Sequence, residues 1–178
     1  MSNKRMKVVL VGPMKSGKTV ISTFLSDTTE NLRMEYKPTS GVRIIEFESI
    51  ELSLEDQRIE PDVELWDCSG DRRYEKCWPA MRQYADAVII LCNPVDTRGE
   101  ELLLWHNEFV QKVGLRPQQA VVFLHHPSEN TNDSAIADFK LPQDMMGIRC
   151  VPVNVDREGE QLRKDFTNFL YTVSNDYM

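Results

Sequence analysis

The stretch Gly12-Pro13-Met14-Lys15-Ser16-Gly17-Lys18-Thr19 matches G-x-x-x-x-G-K-[ST] in full. It directly follows Lys7-Val8-Val9-Leu10-Val11, an apolar, β-branched run that reads as a buried strand, and it precedes Val20-Ile21-Ser22-Thr23-Phe24-Leu25, which reads as the first turns of a helix. Strand, tight loop and helix in that order are the context this motif requires. Glycines let the backbone curl until successive N–H groups point at phosphate oxygens, and the helix N-terminus adds partial positive charge. A lysine at position 18 supplies a point charge for the β- and γ-phosphates, and the Thr19 hydroxyl supplies a ligand for Mg²⁺. The chain is therefore expected to bind a nucleoside triphosphate.

The rest of the chain alternates strand-like and helix-like stretches. Val42–Phe47 alternates as a strand, 48–61 is acidic and fits a hairpin excursion or an exposed loop, and Val63–Asp67 is a short strand ending in an aspartate. Ala87–Cys92 and Ala120–Leu124 are continuous apolar runs, the mark of strands covered on both faces. Leu102, Trp105, Phe109, Val110 and Val113 recur at helical spacing with Gly114 as a stop, and Leu162, Phe166, Phe169, Leu170 and Val173 form a closing amphipathic helix. Arg149–Val153 reads as a last strand in which Pro152 suits an edge. Residues 27–36 read as a mobile loop, and 128–147 as irregular with a weak helix near 135–140. The expectation is an α/β P-loop fold: a mostly parallel sheet of about six strands, helices on both faces, and one domain over residues 1–178. Ligands in such folds sit beyond the carboxyl ends of the strands, where the segments ending at Gly12, Asp67, Cys92 and His125 all fall.

At 178 residues the chain is long enough to bury roughly 70% of its unfolded surface. A net charge of −7, with no basic cluster beyond Lys4-Arg5, argues against a nucleic-acid surface. Cys68, Cys77, Cys92 and Cys150 have no C-x-x-C spacing; Cys92 and Cys150 lie in apolar runs that suit buried thiols in a reducing compartment. No stretch approaches the roughly 20 apolar residues of a membrane span, and neither a myristoylation start nor a prenylatable cysteine is present, so no direct membrane anchor is expected.

Asp67-Cys68-Ser69-Gly70 gains meaning beside the phosphate loop. A carboxylate at 67 can hold Mg²⁺ through water, the Gly70 N–H can meet a γ-phosphate, and Thr39 offers a hydroxyl to complete the metal shell. The candidate metal ligands are thus Thr19, Thr39 and Asp67.

These motifs and their order resemble the Ras-like small GTPases over nearly the whole chain. More narrowly, Gly12-Pro13-x-x-Ser16-Gly17-Lys18-Thr19-Val20, Pro38-Thr39-x-Gly41-Val42-Arg43-Ile44-x-Glu46-Phe47, Glu64-Leu65-Trp66-Asp67-Cys68, Cys77-Trp78-Pro79-Ala80 and His125-His126 resemble the Rab-like GTPase subunit of the intraflagellar transport B complex. The resemblance implies GTP/GDP as ligand, with Gly12, Lys15, Ser16, Gly17, Lys18, Thr19, Val20, Thr39, Gly70, His125, His126 and Asn154 around it. It further implies coiled-coil subunits of that complex as partners, and a setting in the cytoplasm and the cilium or flagellum and its base.

Three departures from the Ras-like pattern bear on activity. The residue after the DxxG glycine is Asp71 where the family has a water-orienting glutamine; a carboxylate cannot donate an N–H and sits near an anionic phosphate, so slow intrinsic hydrolysis is expected. The opposing reading makes Asp71 a general base. Met14 replaces a glycine where an incoming arginine finger must pass, and Arg72 and Arg73 are either surface charges or phosphate contacts in cis. The base-reading N-K-x-D is replaced by His125-His126-Pro127-Ser128, which lacks the bidentate acceptor; a histidine there can stack on a base or give one hydrogen bond, and Asn154 can approach it through its backbone.

The leading expectation is a GTP-binding subunit with slow or absent hydrolysis. The alternative is a switch cycled by an activating protein, and a phosphotransferase on the same scaffold lacks an evident acceptor site or arginine-rich lid.

Overall fold

The computed structural model describes residues 5–26, 40–48, 52–54, 57–59, 62–126 and 133–175. Its strands are β1 (Met6–Val11), β2 (Val42–Glu48), β3 (Leu52–Leu54), β4 (Gln57–Ile59), β5 (Asp62–Cys68), β6 (Ala87–Cys92), β7 (Ala120–His125) and β8 (Arg149–Val153). Six of them form one sheet in the order β2-β5-β1-β6-β7-β8, while β3 and β4 pair only with each other. β5, β1, β6, β7 and β8 run parallel, and β2 alone is antiparallel, against β5. The expected α/β architecture with a mostly parallel six-stranded sheet is therefore observed. The stretch 48–61 contains a hairpin, with Leu52 opposite Ile59 and Leu54 opposite Gln57.

The continuous apolar runs explain which strands are central. Alternate side chains of one strand enter two different cores, so a strand in the middle must be apolar at every position. One face carries Val8, Leu10, Leu65, Ile89, Leu91 and Phe123 against helix α1 (Lys18–Leu25) and a C-terminal helix that supplies Leu162, Phe166, Leu170 and Val173. The opposite face carries Val9, Val11, Val88, Ile90 and Val122. It is covered by helix α2 (Trp78–Arg82) and helix α3 (Leu103–His106), the latter continuing through a wider π turn, Asn107–Gln111. Each large side chain so buried contributes roughly 1.5–3 kcal/mol of transfer free energy.

Local chemistry sets the element ends. Gly114 ends the α3 segment at φ +81°, with its N–H on the Val110 and Gln111 carbonyls. Pro79 lies in the first turn of α2, where its missing N–H costs nothing. Ahead of it runs a 3-10 helix, Arg72–Cys77. Trp78 is fully buried, with ring centroids 5.1 Å from Trp105 and 5.6 Å from Phe109, and it pins α2 to α3. A short helix α4 (Asp133–Asp138) stands near the weak helix expected at 135–140. The closing helix α5 (Val155–Asn175) is broken one turn in, at Glu158 (φ −133°, ψ 39°).

One burial expectation fails. Cys68 and Cys92 are buried, but Cys150 is exposed, as is Cys77. β8 is an edge strand, and Val151 and Val153 supply its core-facing positions, so Cys150 and Pro152 point away from that core. No helix among the described residues is long and apolar enough to cross a membrane. The loop 27–36 and Thr39 lie outside the described residues.

Candidate functional site

The segment between β1 and α1 bends sharply over the carboxyl ends of the parallel strands. Gly12 has φ +144°, and a Cβ there would overlap the Leu91 carbonyl oxygen of β6. Lys15, exposed at φ 60°, and Gly17 at φ +93° complete the turn. Ser16 is buried, while Val20 lies on the outward face of α1. Lys18 is the first residue of that helix, and its Nζ folds back over the loop to donate to the Gly12 carbonyl (2.9 Å), the Pro13 carbonyl (2.6 Å) and Ser16 Oγ (3.2 Å). The side chain is only 7% exposed, and burial lowers its pKa to about 8, with Asp67 opposing that shift. A buried ammonium above curled backbone is a built anion site.

Asp67, at the end of β5, is fully buried. Its Oδ2 accepts from Thr19 Oγ1 at 3.0 Å and Ser22 Oγ at 3.3 Å, and Arg43 Nε lies 3.7 Å away. Its Oδ1 is buried with no hydrogen-bond partner among the described residues. Burial raises the carboxyl above its usual range, opposed by Thr19, Arg43 and Lys18. An orphaned, desolvated carboxylate oxygen beside a hydroxyl is a hard-oxygen pair that fits a divalent cation such as Mg²⁺. Thr39, the third metal candidate, is outside the described residues.

Arg43 is a site residue that sequence reasoning missed. Its Nη2 donates to Ser22 Oγ (2.8 Å), Thr23 Oγ1 (2.8 Å) and the Thr19 carbonyl (3.3 Å), tying β2 to α1. The signal lay in the register: Arg43 stands directly opposite Asp67 in the antiparallel pair.

Gly70 packs onto the phosphate loop from the other side. A Cβ there would lie 2.6 Å from both the Gly12 carbonyl oxygen and the Met14 amide nitrogen, so only glycine permits this approach. The preceding Ser69 N–H donates to the Gly41 carbonyl at 2.7 Å. Asp71 then caps the 3-10 helix: Oδ1 accepts from the Arg73 N–H (2.9 Å) and Oδ2 from Arg73 Nε (2.8 Å). These bonds hold its carboxyl below the usual range. Arg72 pairs with Glu75 at 3.0 Å, so both arginines are engaged with neighbouring carboxylates. Met14 is 42% exposed on the loop beside Gly70.

The other end of the cleft corrects one expectation. His125 is 3% exposed and lies beneath the phosphate loop, with Nδ1 3.2 Å from the Ser16 carbonyl oxygen, so it is not a free ring ready to stack on a base. Burial lowers its pKa, which keeps the ring neutral. His126 is half-buried and lines a cavity of about 340 Å³ with Ile136, Pro152, Asn154 and Arg157. Asn154 Nδ2 donates to the His126 carbonyl (3.1 Å), and Asn154 Oδ1 caps α5 by accepting from the Asp156 and Arg157 N–H groups (3.0 Å each). Its side chain is thus committed to the protein. Pro127 and Ser128 lie outside the described residues.

Residues 7–126 match the family model described as Ras of Complex, Roc, domain of DAPkinase. The chain is 37% identical over 170 residues to intraflagellar transport protein 22 homolog of Danio rerio, covering 93% of this chain and 88% of the relative. It is 33% identical to the Homo sapiens protein of the same name, covering 95% and 90%. The T. brucei IFT22 of the IFT22/74/81 GTP-bound crystal structure superposes with a TM-score of 0.74 at 27% identity, over 98% of this chain and 97% of that one. T. brucei IFT22 bound to GDP gives 0.70 at 27% identity, over 98% and 99%. A phosphate loop, a buried Asp67 beside Thr19, a Gly70 packed on that loop and relatives matched nearly end to end agree: the chain belongs to the Ras-like superfamily, as a Rab-like small GTPase of the intraflagellar transport protein 22 family.

Proposed function

We propose that this chain is a Mg²⁺-dependent GTP-binding subunit of the intraflagellar transport machinery, with slow or absent intrinsic hydrolysis, docking on coiled-coil partners. It is read as one domain over residues 1–178. The loop from Gly12 to Thr19, with Lys18, would hold the phosphates, and Thr19, Asp67 and Thr39 would hold the cation. When bound, the metal neutralises phosphate charge and orients the β- and γ-oxygens.

The observation that carries the slow-hydrolysis reading is the engagement of Asp71. Its two carboxylate oxygens are taken by the Arg73 N–H and guanidinium, and its lowered pKa makes it a poor proton acceptor. The Asp71 carboxylate itself has no N–H to donate to the developing charge on the phosphoryl group. The general-base reading of Asp71 loses its support for the same reason.

The partner reading rests on the T. brucei protein, seen in an IFT22/74/81 complex. A surface that suits it lies beside the site: Ile44 of β2 is 47% exposed and stands opposite the half-buried Trp66 of β5. A coiled coil offers apolar side chains at regular spacing to such a face. The setting is the cytoplasm and the cilium or flagellum.

A second reading, a cycling switch, is favoured by one observation: T. brucei IFT22 is seen with GDP as well as GTP. The test is chromatography of nucleotide released from protein loaded with a GTP and ATP mixture in Mg²⁺ and freed of unbound ligand. Intact GTP is the expected result. Mostly GDP overturns slow hydrolysis, and retained ATP overturns guanine preference.

A further inference from the structure

Asp67, the carboxylate that fits a divalent cation, already has a positive neighbour of its own. Its Oδ1 is buried with no hydrogen-bond partner among the described residues, while Oδ2 lies 3.7 Å from Arg43 Nε. The Asp67 side chain is fully buried and that of Arg43 is 42% exposed, so water screens the pair from one side only. Arg43 Nε is also buried without a hydrogen-bond partner among the described residues, and what it gains in that place is the attraction of Asp67. Lys18 is differently disposed, with its Nζ spent on the Gly12 and Pro13 carbonyls of the phosphate loop.

The guanidinium is fixed beside the carboxylate. Arg43 stands directly opposite Asp67 in the antiparallel β2–β5 pair, and the Ser69 N–H donates to the Gly41 carbonyl at 2.7 Å just beyond it. Nη2 adds bonds to Ser22 Oγ, Thr23 Oγ1 and the Thr19 carbonyl, all on α1. Thr19 therefore meets both groups: its hydroxyl donates to Asp67 and its carbonyl accepts from Arg43. A side chain held by a strand register and by a helix does not swing aside freely when a second cation arrives.

We propose that Arg43 is a resident counter-ion of the cation site, which lowers the affinity of Thr19 and Asp67 for a divalent cation. The assignment rests on the cation-site reading above. A carboxylate that shares its charge with a guanidinium attracts a metal ion less, and the guanidinium repels the metal ion directly. Arg43 acts through Asp67 and through space; it has no lone pair to offer a metal. With the discount that its partial exposure requires, the effect is about tenfold in cation affinity. Nucleotide held by the phosphate loop and Lys18 then depends less on the metal than the Thr19 and Asp67 pair alone would make it.

Titration of the GDP-loaded chain with Mn²⁺, followed by the electron paramagnetic resonance signal of the free ion, tests this. Arg43→Gln keeps a planar amide donor on the side facing Ser22 and Thr23 but loses the charge, and Mn²⁺ affinity rises about tenfold. Arg43→Lys keeps the charge and stays within about threefold of the original chain. Damage to the site would weaken the metal, so a gain separates charge from structure. Unchanged or weaker Mn²⁺ binding in Arg43→Gln overturns the proposal, as does an equal gain in Arg43→Lys.

Asp67→Asn separates the two levels. If it loses Mn²⁺ while Arg43→Gln gains nothing, only the Arg43 assignment fails. If it binds Mn²⁺ like the original chain, the cation-site reading fails and takes this one with it; a chain that takes up no GDP fails the nucleotide reading, with the same result. Should Arg43→Gln not fold, the original chain decides. GDP on the protein is expected to hold Mn²⁺ at most about thirtyfold more tightly than GDP free in solution, and a larger gain overturns the proposal.

Discussion

The two ends of the cleft make opposite use of their polar groups. At the phosphate end, Lys18 and Asp67 are buried and charged, and burial works against both charges. At the base end, His125 is spent on the Ser16 carbonyl and Asn154 on the His126 carbonyl and the α5 N-terminus. The first end stores a desolvation cost that an anion and a cation relieve; the second is already satisfied by the protein. Affinity is therefore expected to come mainly from phosphate and metal, with the base adding selectivity through backbone and cavity shape.

Lys18→Met strains that contrast most. Removing the charge should lower GDP affinity by about 100-fold or more, on the scale of charge-assisted hydrogen bonds. The same change should raise the ligand-free thermal stability at pH 7. In the folded chain Lys18 titrates near 8 against 10.5 for the free side chain, so its protonated form destabilises the fold fully below about pH 8. The stability difference between the two proteins should then vanish as pH rises from about 8 to 10.5. Its ceiling is about 3 kcal/mol, and the Nζ bonds to Gly12 and Pro13 offset part of it. Equal stability at pH 7 would break the idea of a stored cost.

Asp67→Asn is the milder test at the same end. Mg²⁺ should no longer strengthen GTP binding, a loss of about tenfold, measurable by titration with and without the metal. Its folded carboxyl lies above the free value of 3.8, so the ligand-free wild type loses stability as pH rises through that raised value. The asparagine variant should show no such decline.

Smaller effects are expected elsewhere. Asn154→Ala removes the α5 cap and should cost about 1 kcal/mol, lowering Tm by roughly 2–4 °C in a melt, while GDP affinity changes by less than about twofold. A large affinity loss would make the base end a direct binding element after all. Asp71→Gln should raise single-turnover GTP hydrolysis by roughly severalfold, because an amide donor replaces a carboxylate. An unchanged rate would shift the cause to Met14.

How legible all this was in the sequence depends on what carried each feature. The phosphate loop was readable because its residues act through local backbone shape, and Gly12, Gly17 and Lys18 adopt it within a few residues of one another. Central strands were readable because double burial forces continuous apolar runs, as in Ala87–Cys92. Arg43 was not, since its role depends on a β2–β5 register that no local pattern fixes. His125 was misjudged because the motif locates a residue along the chain without saying which side of the strand end the ring takes. Cys150 was misjudged because an apolar neighbourhood in sequence does not distinguish an edge strand from a central one.

Among the described residues, β2 and β8 are the outer strands of the sheet, and their sequences bear on how copies of such a chain behave when crowded. β8 carries Pro152, which has no N–H to lend to an incoming strand, and β2 carries the exposed carboxylates Glu46 and Glu48, with Glu46 paired to Arg5 at 2.6 Å. Both margins discourage backbone pairing with a neighbouring copy. Copies of the chain can therefore stand close together and still be gripped by their side-chain faces, without one sheet growing into the sheet beside it.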